Sequence, residues 1–507
     1  MSNLAPIESE DEQTDRFLAA LDIGSNSFHF VYARQATDTL QILHTEKYRV
    51  KLADGLDEDD ILSDEAIARG VGALTNLLSS TENLTSENIR VVATYTLRQA
   101  KNANKFLAEA KKVFPFDIEI ISGHEEARLI YQGVAHNTNA SKRQLVVDIG
   151  GGSTECVIGE QLDVKTLVSL NMGCVSYQKQ FFSDDNITKA QFNRAIIAAK
   201  FEIEAIVKRF KKKGWQVAVG TSGTIKALYR IINVEQELNK PITLKRLKKL
   251  KKQFIQAETV SQLDIAGLKE NRREVICSGL AILIALFEML DIEEMHFCTD
   301  SLREGVLYQQ LDMLNYQDIR QRAINSLGAR FNVDQNHAEN VASLANAFFD
   351  ELSLTVKFPS GNYKKLLNWA CEIHELGIDI NPSSHHKHGE YIINNADLSG
   401  FTQEQQQALS WLVGNQRKKP SSPELLTWYN LNSDYLLLVV TVLRLSVLLN
   451  QQRQLNELPP FSMQFSNDEL RLQCDKQWLL ERPLVDVALF NEQQNLAKSG
   501  ISLRVLS

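Results

Sequence analysis

The sequence has few cysteines and no closely spaced pair of them. Only six occur among 507 residues, and none stands in a Cys-x-x-Cys arrangement. This spacing excludes a disulfide framework and a zinc ribbon, and it is typical of a protein of the reducing cytosol. The six are Cys156, Cys174, Cys277, Cys298, Cys371 and Cys474.

Long hydrophobic runs and excess positive charge are also missing. The longest apolar runs, Gly279–Phe287 and Tyr435–Leu443, fall well short of the roughly 20 residues that a membrane-spanning helix needs. The formal net charge of −8 argues against a general nucleic-acid-binding protein, which needs a broad positive potential. We therefore predict a cytoplasmic protein without a transmembrane segment, and leave peripheral association with the inner membrane open.

The most informative feature that is present is a pattern that occurs twice. Residues 18–35 read LAALDIGSNSFHFVYARQ and residues 144–161 read QLVVDIGGGSTECVIGEQ, so Asp148 repeats Asp22 after 126 positions (148 minus 22). Each copy has an apolar run, Asp-Ile-Gly, a turn of small residues and a second apolar run. The pattern predicts a strand, a phosphate-sized turn and a strand, in two similar lobes that close on one phosphate-bearing ligand.

The rest of the chain predicts several domains, since the length allows three or four at about 100–200 residues each. Strand and helix patterns alternate up to about residue 311, which favours an α/β fold. Only periodic helical segments follow, until strand patterns return after Pro459-Pro460. We predict a disordered tail at 1–16 without a signal peptide, α/β lobes at 17–128 and 129–311, an all-α domain at 312–457 and a small α+β domain at 458–507.

Three loops of small residues are candidate phosphate sites. Gly24–Ser27 and Gly150–Thr154 are the turns of the two copies, and Gly220–Thr224 opens a predicted helix, whose N-terminus favours an anion. Hairpin turns and helix caps use the same residue types for steric reasons, so it is the duplication that favours phosphate binding. Arg98 lies in a predicted loop and could clamp a phosphate, although a surface arginine is the ordinary case.

A pair of carboxylates in the second copy is a candidate Mg²⁺ site. Asp148 ends an apolar strand, where a carboxylate is costly unless it is paired or bound to a cation. Glu155 lies seven residues later, and a hairpin would bring it beside Asp148. Oxygen ligands beside phosphates suit Mg²⁺, and a solvated hairpin flank is the alternative.

Two adjacent glutamates between the copies are expected to differ in role. Ser122 and Glu125 have capping-box spacing at a helix start, which gives Glu125 a structural role. Glu126 has no such role and lies at the junction of the two α/β lobes. It is our candidate for the general base that takes a proton from an attacking water.

Two further groups of residues have an ordinary explanation and a functional one. The basic runs Lys208–Lys213 and Lys245–Lys252 are typical of solvated helix faces, and guiding a long polyanion is the alternative. His337, His374-Glu375 and His385–His388 look like the metal ligands of phosphohydrolase domains built on a His-Asp pair. No distal aspartate is visible, so we favour a structural or lid role over a second metal centre.

Together these motifs resemble the exopolyphosphatase / guanosine pentaphosphate phosphohydrolase family of bacteria, within the actin-like ATPase superfamily. The resemblance covers nearly the whole chain. It rests on DIGSNSFH (22–29), VKLADGL (50–56), TYTLRQA (94–100), ISGHEEARLIYQGV (121–134), VVDIGGGSTE (146–155), NMGCVS (171–176), GTSGTIKA (220–227) and LREGVLY (302–308).

The resemblance implies a fold, an activity and a set of residues. The fold is α/β, with two actin-like (ribonuclease-H-like) lobes, an all-α degenerate HD-type domain and a small C-terminal α+β domain. The activity is hydrolysis of a terminal phosphoanhydride with release of orthophosphate, using Mg²⁺ and commonly in a homodimer. By motif position Glu126 is the catalytic glutamate, and Asp148 and Glu155 bind the metal. The implied phosphate contacts are Asp22, Asn26, Ser27, Arg98, Gly150, Gly151, Gly152, Ser153, Ser222, Gly223 and Thr224.

Two substrates compete within this resemblance. LADGL, TLRQA and SGTIKA are more similar to the exopolyphosphatase branch, whereas IYQGVAHNT and VASLANAFFDE are more similar to the branch that converts pppGpp, a nucleotide of the stringent response, to ppGpp. We favour exopolyphosphatase, with pppGpp hydrolysis or both activities as the alternative. Thr221 and Ser301 replace smaller residues, and we expect neither to touch the chemistry. A kinase or chaperone ATPase of the superfamily and a non-catalytic sensor are the other classes considered.

Overall fold

The computed structural model describes most of the chain, and its residues form two compact units. The first unit comprises the described part of Met1–Ile118 and Glu126–Leu314, and the second comprises that of Glu119–Glu125 and Asn315–Ser507. Except for residue 16, the predicted tail at 1–16 lies outside the described residues, and the predicted domain boundaries stay predictions. The described residues are 16–36, 39–138, 142–234, 240–315, 319–359, 362–396, 398–423, 426, 428, 430–451, 453, 461–466, 469–498 and 501–506.

The first half of the α/β region is built on a five-stranded sheet. Its elements are β1 (Phe17–Ile23), β2 (Phe28–Ala36), β3 (Thr39–Tyr48), a 3₁₀ turn (Leu52–Gly55), α1 (Asp64–Thr81), β4 (Ile89–Ala93), α2 (Tyr95–Gln99), α3 (Ala103–Val113), β5 (Ile118–Ile120) and α4 (Gly123–Asn137). The strand order is β3-β2-β1-β4-β5. The strands β1, β2 and β3 are antiparallel, whereas β4 runs parallel to β1. Every residue of β4 is buried, which fits its apolar side chains, and Arg90 is the one charged residue among them.

The second half repeats this topology. Its elements are β6 (Gln144–Ile149), β7 (Thr154–Glu160), β8 (Asp163–Leu170), α5 (Cys174–Phe181), α6 (Lys189–Lys213), β9 (Val217–Thr221), α7 (Ser222–Ile232), α8 (Leu244–Gln256), a 3₁₀ turn (Glu270–Val275), α9 (Ile276–Leu290), β10 (His296–Phe297) and α10 (Leu302–Asn315). Read from β8, the order β8-β7-β6-β9-β10 has the same third-second-first-fourth-fifth sequence as the first sheet. The duplicated hairpin is therefore part of a duplicated sheet, and the predicted α/β class is confirmed.

Sequence reasoning missed the outer strand of each hairpin sheet. Both β3 and β8 lie at a sheet edge. In β8 the burial pattern runs from exposed to intermediate, with one buried residue at its end. An edge strand that buries neither face needs no apolar run, and so it carries a weak sequence signal.

The long helix α6 shows how a local sequence sets an element boundary. Thr188 precedes the helix, and its Oγ1 accepts a hydrogen bond from the Gln191 N–H at 3.1 Å. The Gln191 side chain in turn accepts from the Thr188 N–H at 2.9 Å. This reciprocal capping box satisfies two donors at the helix start, and Gly214, with a φ of 66°, ends the helix.

We expect Thr188→Ala to lower the free energy of unfolding by about 1 kcal/mol, the usual cost of losing an N-cap side chain. Thr188→Ser keeps the hydroxyl and should unfold like the original chain. Urea unfolding followed by helical circular dichroism measures the difference. Equal midpoints for the alanine and serine variants would show that the cap does not stabilise α6.

The second unit combines helices with a three-stranded sheet. Its elements are α11 (Ile319–Arg330), α12 (Gln335–Leu352), α13 (Asn362–Glu372), α14 (His385–Asn395), α15 (Gln403–Gly414), α16 (Ser433–Leu449), β11 (Ser462–Ser466), β12 (Glu469–Gln473), α17 (Lys476–Leu480), α18 (Pro483–Ala497) and β13 (Ser502–Leu506). Apolar side chains of the helices and of the sheet share one buried core. Within it, the buried Arg444 of α16 pairs with Glu492 of α18, Nη2 to Oε2 at 2.8 Å.

Candidate active site

The predicted phosphate turns meet at one cleft of the first unit. The cavity measures about 360 Å³ and is lined from both sheets. The residues predicted from the sequence that line it are Asp22, Asn26, Ser27, Glu126, Asp148, Gly150, Gly151, Gly152, Ser153, Ser222, Gly223 and Thr224. Arg98 and Glu155 are not among the lining residues, although Arg98 forms an ion pair with Glu126 and Glu155 lies opposite Asp148 in the sheet. The basic runs at 208–213 and 245–252 do not line it either.

Strand register explains why the two copies offer different chemistry to the cleft. In the first sheet Asp22 lies opposite His29, and His29 lies opposite Lys47 on the next strand. In the second sheet Asp148 lies opposite Glu155, which lies opposite Ser169. Residues paired across antiparallel strands share one face of the sheet. The first row is therefore acid, imidazole and ammonium, whereas the second is acid, acid and hydroxyl.

Backbone hydrogen bonds within the turn and from α5 fix the glycine-rich turn of the second copy. The Gly150 N–H donates to the Ser153 carbonyl at 2.9 Å, and the Gly151 carbonyl accepts from the Val175 N–H of α5 at 2.7 Å. A Cβ added to Gly152 would overlap the ring of Tyr95, the first residue of α2 in the other half of the unit. The turn thus needs glycine because the two halves of the unit approach each other closely there.

The carboxylates at the cleft are crowded and buried. Burial, together with repulsion from Glu126, raises the pKa of Asp22 to about 7. Burial raises the pKa of Asp148 to about 6, although a hydrogen bond from the Ser301 hydroxyl at 2.7 Å opposes the shift. Burial and the charges of Glu126 and Asp148 raise the pKa of Glu155 as well. Crowded buried carboxylates of this kind are costly unless a cation lies among them.

Orphaned polar atoms at the same place indicate a missing ligand. Among the described residues, no hydrogen-bond partner exists for Asp22 Oδ1, Ser27 Oγ or Thr224 Oγ1, and all three atoms are buried. Buried polar atoms without a partner are rare in native proteins. All three residues line the cleft, so a cation with a phosphate group would satisfy them.

Glu126 differs in its surroundings from the neighbouring Glu125. Glu126 is 8% exposed and lines the cleft from α4. Its Oε2 lies 3.0 Å from Nη1 of Arg98, and burial raises its pKa while Arg98 opposes that shift. Glu125 instead accepts a hydrogen bond from the Gly400 N–H at 2.7 Å, and its own N–H donates to the Ser122 hydroxyl at 3.1 Å. The predicted structural role of Glu125 fits these contacts.

The prediction for Arg98 needs a correction. It does not lie in a loop, because it is part of the short helix α2, and it is not a free surface cation. Its guanidinium forms an ion pair with the carboxylate of Glu126. The position of Arg98 relative to α4 depends on the tertiary fold, and no local sequence pattern signals it.

The expectation that Ser301 and Thr221 stay away from the chemistry is wrong for Ser301. The Ser301 hydroxyl donates to Oδ2 of Asp148 at 2.7 Å, and the residue lines the cleft. Thr221 is buried, and its hydroxyl donates to the Asp300 carbonyl at 2.7 Å. The hydroxyl of Ser222 is also engaged, since it donates to the Ile149 carbonyl at 3.0 Å.

Sequence reasoning missed a set of cations that line the same cleft, which we call the cation wall. The lining includes Lys47, Lys226, Arg272 and Arg303. Burial and the nearby charges of Arg272 and Arg303 lower the pKa of Lys47 to about 8. The Arg272 guanidinium packs against Gly223, where any added side chain would overlap it. Arg303 belongs to LREGVLY (302–308), but no spacing rule links these four residues in the sequence.

The cleft therefore gathers mutually repelling cations and mutually repelling carboxylates in one place. A ligand that carries phosphates together with a divalent cation would relieve both repulsions at once. Backbone N–H groups of the glycine turns offer further contacts to phosphate oxygens. These features define a phosphatase of the actin-like fold class.

Comparison with known proteins specifies the family. Residues 30–314 match the Ppx/GppA phosphatase family, and residues 319–493 match Ppx/GppA phosphatase, domain III. The chain belongs to the Ppx/GppA phosphatase family. The predicted family and the predicted class, a hydrolase of phosphoanhydride bonds, are thereby confirmed.

Several relatives match along nearly their whole length. A protein of Pseudoalteromonas translucida named guanosine-5'-triphosphate,3'-diphosphate pyrophosphatase is 40% identical over 487 residues, which is 96% of this chain and 98% of the relative. A protein of the same name from Photobacterium profundum is 39% identical over 95% of this chain and 96% of its own. The crystal structure of the Aquifex aeolicus member of the Ppx/GppA family matches with a TM-score of 0.52 and 26% identity, over 60% of this chain and all of that one.

No helix among the described residues is long and apolar enough to cross a membrane. This agrees with the lack of long apolar runs in the sequence. The predicted cytoplasmic location and homodimer stay predictions.

Proposed function

We propose that this protein removes the terminal 5'-phosphate of pppGpp, which gives ppGpp and orthophosphate. The single observation that carries this choice is the similarity, at about 40% identity over nearly the full chain, to relatives named for that nucleotide. The cation wall of the cleft supports it, because pppGpp is a polyanion with a 5'-triphosphate and a 3'-diphosphate.

This choice reverses the order of the two substrates predicted from the sequence. The motifs favoured exopolyphosphatase, with pppGpp hydrolysis as the alternative, and the relatives support the alternative better. Polyphosphate hydrolysis is retained as a second activity, because both substrates end in the same phosphoanhydride. The four cations of the wall would also contact the next phosphates of a polyphosphate chain.

The proposed mechanism begins with compensation of phosphate charge. The terminal phosphate lies between the two turns, where the hydroxyls of Ser27 and Thr224 and backbone N–H groups donate to its oxygens. The ammonium and guanidinium groups of the cation wall would bind the phosphates that remain after cleavage. Such preorganised charge stabilisation accounts for most of phosphoryl-transfer catalysis.

Glu126 is proposed as the general base. Its carboxylate faces the cleft, and the Arg98 guanidinium at 3.0 Å fixes its orientation. Burial raises its pKa, which makes the carboxylate a stronger base toward water. It would orient a water molecule in line with the scissile bond and accept its proton as the bond to phosphorus forms.

The residues of the second hairpin fit a magnesium ion. Asp148 and Glu155 are buried oxygen ligands on one face of the sheet, and Asp22 adds a buried oxygen without a partner among the described residues. We propose that Asp148, which lines the cleft, holds the ion, and that Glu155, the neighbouring residue on the paired strand, adds negative charge to the site. When bound, Mg²⁺ supplies positive charge that offsets the phosphate oxygens.

Phosphate release from purified enzyme tests the choice of substrate. We expect kcat/KM for pppGpp to exceed that for long-chain polyphosphate, when both are measured at the same magnesium concentration. The Lys47→Met variant should lose affinity for both substrates, since it removes a shared cation. A preference for polyphosphate would restore the order predicted from the sequence, and hydrolysis of neither would overturn the proposal.

We also expect a magnesium-dependent loss of activity in mild acid. The carboxylates bind the ion only when deprotonated, and the pKa of Asp148 is about 6 and that of Asp22 about 7. Activity at limiting magnesium should therefore be present above pH 7 and fall as the pH drops through about 7 to about 6. Saturating magnesium should move the midpoint to lower pH, because protons and metal compete for the same oxygens.

Rate profiles at two magnesium concentrations measure this shift, with circular dichroism over the same pH range as a control for unfolding. The expectation would be contradicted by a midpoint at about pH 4 that does not respond to magnesium, since a free carboxyl group titrates in that range.

A further inference from the structure

The second unit holds a cluster of buried, metal-ligand-type side chains that the phosphatase chemistry does not use. His337 near the start of α12, and His374 and Glu375 just after α13, each offer one ligand atom, and these atoms all lie within 4.8 Å of one another. The three residues are 6%, 1% and 7% exposed. They come from two separate segments, so the fold brings them together.

Hydrogen bonding leaves imidazole nitrogens unused inside this cluster. Nδ1 of His374 lies 2.7 Å from the Cys371 carbonyl, which can only accept, so Nδ1 carries the proton. The lone pair therefore lies on Nε2 of His374, which is buried and has no hydrogen-bond partner among the described residues. Nδ1 of His337 is buried without such a partner as well, and Nε2 of the same ring lies 4.0 Å from Oε1 of Glu375. Two unsatisfied ring nitrogens in one buried place are costly unless a ligand binds them.

The charge of Glu375 is offset by Arg453, a partly exposed residue that does not belong to the cluster. Oε1 of Glu375 lies 2.7 Å from Nη2 of Arg453, whose Nη1 lies 2.6 Å from Oδ2 of Asp334. The Arg453 side chain is 44% exposed, whereas that of Glu375 is 10% exposed. A half-exposed guanidinium can withdraw into water without leaving a buried charge behind. The cluster thus needs a positive charge, and Arg453 is a displaceable source of it.

We propose that His337, His374 and Glu375 bind a divalent transition-metal ion of the Zn²⁺ type. Two imidazoles and one carboxylate form a donor set that such ions use, with a remaining position open to water. The hydrogen bond from His374 to the Cys371 carbonyl is the outer contact that orients a ligating histidine. The ion would link α12 to the segment after α13. This replaces the structural or lid role favoured from the sequence, because the site needs no distal aspartate.

The site is distinct in chemistry from the cleft of the first unit. Imidazole suits zinc, iron, nickel and copper, whereas carboxylate and water suit magnesium. An excess of Mg²⁺ should therefore occupy the carboxylates around Asp148 and leave the histidine cluster available. Co²⁺ can stand in for Zn²⁺ as a visible probe, because four-coordinate cobalt with nitrogen ligands absorbs far more strongly than six-coordinate cobalt with oxygen ligands.

The test titrates the metal-free full-length protein with Co²⁺ in excess Mg²⁺. We expect one equivalent to bind with strong visible absorption, and Zn²⁺ to displace it. His374→Ala should weaken binding by at least about 10–100-fold, the loss that even an outer-contact mutation causes. His388→Asn, which changes a nearby histidine outside the cluster, should bind like the original chain. Asp148→Asn should keep the cobalt spectrum.

Circular dichroism would detect misfolding of His374→Ala. A second variant tests the proposal even if that one does not fold. Arg453→Gln removes the competing cation and should bind Co²⁺ more tightly than the original chain does. The proposal is overturned if the original chain binds no cobalt with strong absorption. It is also overturned if Asp148→Asn loses the spectrum while folded His374→Ala keeps it, or if Arg453→Gln weakens binding.

Discussion

Glu126→Gln is expected to lower kcat for phosphate release by about 10²–10⁴-fold, the usual contribution of a general base. The substitution preserves the size of the side chain and its contact with Arg98, but removes the basic oxygen. Substrate binding should persist, since the turns and the cation wall stay in place. Single-turnover phosphate release measures the chemical step, and equilibrium binding of pppGpp measures affinity.

The adjacent glutamate provides a matched control for this variant. Glu125 directs its carboxylate to the Gly400 N–H, and a glutamine can still accept that bond. Glu125→Gln should therefore keep kcat, even where it lowers stability. A Glu126→Gln enzyme with near-normal turnover would remove Glu126 from the role of base. Tight binding of pppGpp with no turnover in the unchanged enzyme would instead favour the non-catalytic sensor.

Asp148→Asn is expected to raise the magnesium concentration for half-maximal activity by at least about 10–100-fold, because it removes a charged oxygen ligand. Burial makes the effect large, since few waters are available to replace the lost oxygen. The Ser301 hydroxyl, now 2.7 Å from Oδ2, can still bond to the amide oxygen. The fold should therefore survive.

Magnesium titration of phosphate release measures this change. Asp163→Asn alters an exposed acid at the start of β8 in the same sheet and should leave the titration unchanged. An unchanged magnesium requirement in Asp148→Asn would exclude that residue as a ligand, and the metal would then have to be sought at Asp22 or Glu155.

The duplicated hairpin could be predicted from the sequence because strand and turn chemistry are local. Asp22 and Asp148 each end a buried strand, and the following glycines allow a turn that other residues would block. The pairing of Asp148 with Glu155 also follows from the length of the turn, as the observed register shows. The inequality of the copies was visible as His29 against Glu155. That contrast assigns the metal carboxylates to the second copy. The contribution of Lys47 to the first copy was not visible, because Lys47 lies on an edge strand without an apolar pattern.

The cation wall and the ion pair of the proposed base lay beyond the reach of sequence reasoning. Arg98 and Glu126 are 28 positions apart (126 minus 98), and Lys47 and Arg272 are 225 apart (272 minus 47). Isolated arginines and lysines are ordinary surface residues, so their types carry no signal. The sequence also offered little basis for choosing between polyphosphate and pppGpp. Both substrates end in the same phosphoanhydride, and motifs that bind this group do not depend on the rest of the ligand.

The sequence by itself determined the strands other than β3 and β8, the turns, the candidate base and the family, since these depend on contacts within short segments or on whole motifs. Only the tertiary structure decided which charges face one another. Burial of Asp22, Asp148 and Glu126 in one place raises their pKa values, and the fold gathers His337 with His374 and Glu375 in another. Electrostatic energy depends on distance and on exclusion of water, and neither quantity exists until the chain has folded.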